Sequence, residues 1–373
     1  MKKTVAAALI VAIIFSLVSC GTKYEPVAST EEESRVVMTL SIGNKEYDVK
    51  YELYRAFFLT YKSEIDGGDP SVWSGSNSAK YIAAINERII ASVSEIYSAF
   101  HICSSIGIDV FSSAYNGKID DFIDESVKSI IELTEEAEKR TVSNEEGYQI
   151  YLRRLKDNNL SYEASVLLYR YEIALEKIEE YYVGTFDPQN PNPNDKEGHI
   201  EYTRDAVKAF YDGDDSVRIL EAFINGEATN AQERAQRIRD GMISAAPYGE
   251  GRIANYIIAN SSAVPTEVEA GVVIGRSQLD AMYWAEYTEA AFSLEIGEVS
   301  EIVTVSTDNY SGYFILYKGE KSDTNFNECY YDILNAYLYN ELGKIMSNAK
   351  SALASGAEFT DAYSLIAHAD IAM

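Results

Sequence analysis

The sequence predicts an α+β fold in two parts, and three observations predict it. Apolar residues recur every three or four positions through most of the first half, the period of helices packed along one side. From Ser216 the texture changes to short apolar strands alternating with helices. Between the two lies a run that holds three of the chain's seven prolines. The expected architecture is an all-α module, a joint, a small α+β unit and a long C-terminal helix.

Residues 1–20 read as a secretory signal. Lys2 and Lys3 give a positive start, Val5 to Leu17 is apolar except for Ser16, and small residues lead to Cys20-Gly21. The apolar run is short for a transmembrane helix. The pattern resembles the lipobox of bacterial lipoproteins. That implies that Cys20 is lipidated, becomes the first mature residue and holds the protein to the cell membrane on its extracytoplasmic face. An ordinary signal peptide with an unrelated cysteine is the alternative. Two or more acyl chains anchor stably where one is marginal. Residues 21–35, polar and acidic through Ser29-Thr30-Glu31-Glu32-Glu33-Ser34, read as a flexible spacer.

Residues 36–183 are expected to form the helical module. Val36, Met38, Leu40 and Ile42 alternate with other residues, Gly43-Asn44 turns, and Tyr47, Val49 and Tyr51 alternate again, which reads as a hairpin. Leu53, Phe57 and Tyr61 then take helical spacing until Gly67-Gly68-Asp69-Pro70 breaks it. A long helix follows over about Ser78–Ser104, on Tyr81, Ile85, Ile89, Val93, Ile96 and Phe100. Further helices are expected over about Ile119–Arg140, Glu145–Asp157 and Tyr162–Tyr182.

Residues 184–198, with Pro188, Pro191 and Pro193, read as a linker, because proline lacks a donor and blocks helix entry. Residues 199–322 are expected to form the α+β unit behind a leading helix from about Glu197 to Tyr211. Val217–Ile224 reads as a strand. Asn230, with Glu233 three residues on, reads as the N-cap of a helix carrying Ala231, Ala235, Ile238 and Met242. A helix over about Trp284–Leu294 and strands over Val299–Val305 and Tyr313–Lys318 complete it. Residues 323–373 carry the final helix, about Asn327–Leu353.

Bulk composition excludes several classes. The chain has 373 residues and a formal net charge of −27, which repels phosphate backbones and argues against a nucleic-acid partner. It also repels anionic lipid surfaces, so membrane attachment falls to Cys20. Besides Cys20 the only cysteines are Cys103 and Cys329, read as buried free thiols, with pairing outside the cell as the alternative. The three histidines, His101, His199 and His368, are scattered, which argues against a zinc site or a Ser-His-Asp triad. No metal or other cofactor is expected. Paired acids such as Asp120-Asp121 and Glu135-Glu136 read as solvated helix faces.

The words Tyr287-Thr288-Glu289-Ala290-Ala291-Phe292-Ser293-Leu294-Glu295-Ile296-Gly297-Glu298-Val299-Ser300 and Gly312-Tyr313-Phe314-Ile315-Leu316 carry a likeness. In them the chain resembles the parvulin family of peptidyl-prolyl cis-trans isomerases. Ile42-Gly43-Asn44-Lys45-Glu46-Tyr47-Asp48-Val49 and the aromatic helices after it resemble the start of SurA- and PrsA-type extracytoplasmic foldases. The resemblance implies a parvulin-like domain inserted before a returning C-terminal helix, which completes a chaperone-like helical domain. It also implies partners: unfolded or partly folded exported proteins.

The same resemblance locates a site and shows it altered. The two family histidines fall on Ala222 and Phe314, and the nearby family Cys or Asp falls loosely on Asn260. Leu279 and Tyr287, with Tyr283 as a competitor, stand for the proline pocket, and Phe292 is counted with them as substrate-binding. Phe292 and Leu294 are expected to plug the helix into the sheet. Ala222 and Phe314 are expected to face each other across a cleft. Turning a prolyl bond means lowering a barrier of about 18–20 kcal/mol by binding the twisted amide best. Losing two polar groups removes part of the network that shapes such a site. The reading is therefore a membrane-anchored chaperone that binds unfolded chains. An active isomerase, or an envelope-assembly or solute-binding lipoprotein, are the alternatives.

Overall fold

A computed structural model describes residues 27–184, 198–261, 265–278, 285–307 and 310–372. Residues 1–20 with Cys20, part of the spacer, most of the proline-rich joint, Leu279 and Tyr283 lie outside the described residues. The described residues fall into two compact units. One comprises residues 27–178 and 346–372, the other residues 179–345.

The first unit opens on strands β1 (Val36–Ile42) and β2 (Lys45–Lys50), antiparallel with Ile42 paired to Lys45. Gly43 takes φ +61 in the turn, a conformation glycine enters without steric cost. Helices α1 (Tyr51–Asp66), α2 (Ser78–Ser105), α3 (Asn116–Glu138), α4 (Asn144–Asp157) and α5 (Tyr162–Tyr182) follow. Leu53, Phe57 and Tyr61 of α1 and Ile85, Ile89, Val93 and Ile96 of α2 are buried, as their spacing required. The N-terminus of α4 is set by Ser143, whose hydroxyl accepts from the Glu146 N–H. Buried phenols find partners: the Tyr151 and Tyr169 hydroxyls lie 3.1 Å apart.

The second unit is built on a four-stranded antiparallel sheet. Helix α6 (Arg204–Asp212) leads into β3 (Ser216–Asn225). Then come helices α7 (Ala231–Ala245), α8 (Glu250–Asn260) and α9 (Pro265–Ala270), strand β4 (Val272–Gly275) and helix α10 (Ala285–Ser293). Strands β5 (Val303–Thr307) and β6 (Tyr310–Lys318) and helix α11 (Asp323–Glu328) follow. The sheet order is β4-β3-β6-β5. One face is covered by α7 and α8 over Leu220, Ala222, Ile224 and Ile315. The other is covered by α10 over Val217, Ile219, Phe314 and Leu316. Arg218 is buried in this unit at 1% exposure, where it bonds the Glu250 carboxylate at 2.7 Å and the Ala270 and Glu320 carbonyls.

Helix α12 (Tyr330–Ser355) carries the chain from the second unit back to the first. The chain ends in strand β7 (Ala357–Phe359), a short 3-10 turn (Asp361–Leu365) and helix α13 (His368–Ala372). β7 joins β1, giving the sheet order β2-β1-β7.

Several expectations are corrected. The leading helix starts at Arg204, because Thr203 caps it by accepting from the Ala206 N–H. Asn230 does not cap α7 with its side chain; it takes a left-handed backbone, φ 58. The strand expected over Val299–Val305 runs instead over Val303–Thr307, and Val299 makes an isolated bridge to Tyr317. The final helix is two helices, broken at Cys329. Both cysteines are free as expected, and the correction concerns burial alone: Cys103 is buried but Cys329 is half-buried.

Candidate functional site

Strand β3 carries one acidic residue, Glu221, in an otherwise apolar central stretch. Successive side chains on a strand point to opposite faces, and directly paired residues on neighbouring strands share a face. β3 and β6 pair Glu221 with Leu316, Ala222 with Ile315 and Phe223 with Phe314. Glu221, Phe223, Phe314 and Leu316 therefore lie on the α10 face, and Ala222 lies on the α7–α8 face.

This overturns the expected geometry. Ala222 and Phe314 do not face each other; they are buried in separate clusters on opposite sides of the sheet. Ala222 is fully enclosed by α7 and α8 and lines no cleft. Opposite Phe314 stands Phe223, with ring centroids 5.1 Å apart. Asn260 is also elsewhere: it is exposed at the end of α8, where its Nδ2 donates to the Tyr256 carbonyl at 2.8 Å and its own carbonyl accepts from Arg234.

Two expected residues do gather on the α10 face. Tyr287 has no exposed surface, and its ring meets Phe314 edge-on at 5.3 Å. Its hydroxyl donates to the Glu221 carboxylate. Phe292 is half-buried and packs against the same cluster, with the Arg276 guanidinium 4.1 Å above its ring. Leu294, buried, plugs the end of α10 as expected. Val303 and Val305 of β5 close the floor.

The site is thus a ring-lined sheet face with a carboxylate–phenol pair at its centre. Glu221 and Phe223 were missed in the sequence, although the acid inside an apolar strand was a visible signal. The chemistry offered is apolar contact, aromatic stacking and hydrogen bonding to one acid. Tyr287 and Phe314 are buried under α10, and Phe223 and Phe292 are the half-buried rings of this face. A general acid–base pair poised near neutrality is a different arrangement, typically built on histidine. His101 and His368 belong to the first unit, and His199 stacks on Tyr181 at 3.8 Å, with its Nδ1 2.7 Å from the Tyr181 carbonyl oxygen. Among the described residues no group of three or more His, Cys, Asp or Glu side chains is arranged to hold a metal ion, and no helix is long and apolar enough to cross a membrane.

No protein-family model and no curated protein matches the sequence. Among solved structures the chain is similar to the foldase protein PrsA from Streptococcus pneumoniae str. Canada MDR_19A. The identity is 15%, covering 87% of this chain and 97% of that one, with a TM-score of 0.29. It is also similar to the foldase protein PrsA from Lactococcus lactis, at 11% identity over 88% of this chain and 96% of that one, with a TM-score of 0.22.

Proposed function

We propose that this chain is a lipid-anchored extracytoplasmic chaperone of the foldase type, which binds unfolded exported polypeptides and leaves their prolyl bonds unturned. Its sheet unit is a degenerate parvulin-like domain that serves as a binding surface. The observation that carries this reading is the α10 face, where Phe223, Phe314 and Tyr287 set rings around Glu221; neither position the resemblance assigns to a family histidine, Ala222 or Phe314, carries a polar group. The half-buried rings of this face, Phe223 and Phe292, offer apolar contact to a segment of an unfolded chain. A carboxylate already accepting the Tyr287 hydroxyl is committed to the fold and adds little to a twisted amide. The interposed sheet unit supports the same reading, since residues 346–372 return to the unit formed by residues 27–178. The anchor rests on the lipobox ending at Cys20.

Two assays on the mature chain test this. Stoichiometric protein is expected to suppress aggregation of a denatured substrate, and catalytic amounts are expected to leave the isomerisation rate of a proline peptide unchanged. Acceleration of that rate, lost on Tyr287→Ala, would establish an isomerase instead. Mass spectrometry of the membrane-extracted protein is expected to find an acylated Cys20 at the N-terminus; an unmodified Cys20 refutes the anchor.

A further inference from the structure

We propose that the end of the chain, Ala357–Ala372, is a displaceable strap. It holds a place on the first unit that an extended segment of a bound polypeptide takes when the strap lifts. The proposal rests on the polypeptide-binding reading above and names a docking position on that unit.

The strap pairs with β1 through only three residues: Met38 with Phe359, Thr39 with Glu358 and Leu40 with Ala357. Flanking bonds extend this ladder. The Ser41 N–H donates to the Gly356 carbonyl at 3.0 Å and the Thr360 N–H to the Val37 carbonyl at 3.1 Å. The Thr360 hydroxyl donates to the Val36 carbonyl at 2.8 Å. All but the last are main-chain bonds, which any extended peptide added to a sheet edge reproduces.

Beyond the ladder the strap lays two side chains into an aromatic floor. The Tyr363 ring meets Tyr54 edge-on at 5.7 Å, and its hydroxyl accepts from the Asn86 amide at 2.6 Å. The His368 ring lies 5.7 Å from Phe58, and its Nε2 is 3.0 Å from the Tyr54 hydroxyl. Phe58 in turn packs on Trp73 at 4.8 Å. Lifting the strap uncovers an unpaired edge of β1 beside Tyr54, Phe58 and Trp73.

The strap is held thinly. Glu358 and Phe359 are exposed and Leu365 is 69% exposed, while Val37, Met38 and Leu40 of β1 beneath it are buried. A peripheral segment of this kind opens at a small fraction of the cost of global unfolding. The strap also describes its replacement: an extended segment with an aromatic side chain four residues past its last paired position, as Tyr363 follows Phe359. The net charge of −27 favours a neutral or basic segment over an acidic one.

The test uses the full chain and Thr360→Pro. Thr360 has φ −80, which proline adopts, and the strand residue before it suits a following proline. The substitution therefore removes both Thr360 bonds to β1 without backbone strain. The probe is a dye-labelled synthetic peptide of residues 356–372, followed by fluorescence anisotropy. Thr360→Pro is expected to bind it about tenfold more tightly than the unaltered chain, because the competing strap has lost two hydrogen bonds. Replacing two of the probe's three acids, those at positions 358 and 361, by lysine is expected to tighten binding further. Equal affinity for both proteins, or binding to neither, overturns the proposal. Concentration-dependent dimers of Thr360→Pro that exclude the probe overturn it too, since a second copy's strap is then the occupant.

Should Thr360→Pro fail to fold, hydrogen exchange on the unaltered chain decides. The Thr360 and Ser41 amides are expected to exchange well before the amides of the β1–β2 ladder; exchange only together with them overturns the strap. A probe that binds while aggregation goes unsuppressed leaves the strap standing and removes the chaperone reading. Suppression without probe binding does the reverse.

Discussion

Phe314 stands opposite Phe223, not Ala222, across the two central strands of the second unit, with ring centroids 5.1 Å apart. This pairing sets the character of the α10 face, which is aromatic and apolar around Glu221 and Tyr287. Ala222 belongs to the opposite core, and its consequences for substitution differ accordingly.

Restoring a histidine at Ala222 is expected to damage the fold without creating activity. The site is fully buried among Leu220, Ile224, Ala235 and Ile315. Ala222→His overpacks that cluster and buries a polar ring there, at a cost of about 3 kcal/mol or more. Phe314→Ala, on the other face, is expected to cost about 3–5 kcal/mol through its cavity. Urea midpoints of both variants check this, and an Ala222→His protein of unaltered stability contradicts the assignment of faces.

The Glu221–Tyr287 bond gives an asymmetric pair of variants. Tyr287→Phe keeps the buried ring and removes the donor to a half-buried carboxylate, for a loss of about 1–3 kcal/mol. Glu221→Gln keeps an acceptor for the hydroxyl and is expected to cost less. The ratio of the two, from equilibrium unfolding, checks the direction of the hydrogen bond.

Buried Arg218 and half-buried Glu250 form an ion pair in the second unit, 2.7 Å apart. Glu250→Ala leaves a guanidinium at 1% exposure without its countercharge and is expected to destabilise by about 3 kcal/mol or more. Thermal unfolding with and without added salt checks it. The loss is expected to persist in salt, because the guanidinium left behind is buried and salt screens it far less than an exposed charge.

His368 links pH to the strap. Burial pushes its pKa below the ordinary 6.5, against a surround of Tyr54, Tyr363 and Phe58. His101 is lowered in the same direction, by burial first and then by Lys45. Between the folded and unfolded pKa values the unfolded chain binds more protons. The contribution of each to stability is therefore present above 6.5 and lost as pH falls through the folded value. Melting temperature is expected to drop as pH falls below 6.5, and His368→Phe is expected to flatten that slope. Carboxylates held low by their partners, such as Glu163 by Lys50 and Glu146 by Arg140, act in the same direction below the ordinary 4.5. The two windows are separable in a pH series.

Much of the fold is legible in the sequence where the signals are long. The hairpin around Gly43 and the three-to-four-residue apolar stripes of α1 and α2 each follow from local chemistry that the packing then respects. The misses are short or ambiguous elements. Val272–Gly275 is a four-residue apolar run, too brief for periodicity to separate strand from loop. Ala357–Phe359 is a strand only because β1 offers an edge. The expected facing of Ala222 and Phe314 fails because successive strand residues alternate between faces, and it is Phe223, one residue on, that pairs with Phe314. Tyr287, which the family resemblance singles out, and Phe292 both lie on the α10 side of the sheet. The strap's aromatic contacts join residues near opposite ends of the chain, Tyr54 with His368, and no local pattern announces such a pair.

The most direct measurement is exchange NMR on a proline-containing unfolded peptide with this protein present. An aromatic docking face without turnover predicts that the peptide's resonances broaden and shift in proportion to added protein, while its cis–trans exchange rate stays at the uncatalysed value. Faster exchange at substoichiometric protein, or unperturbed resonances at stoichiometric protein, contradicts it.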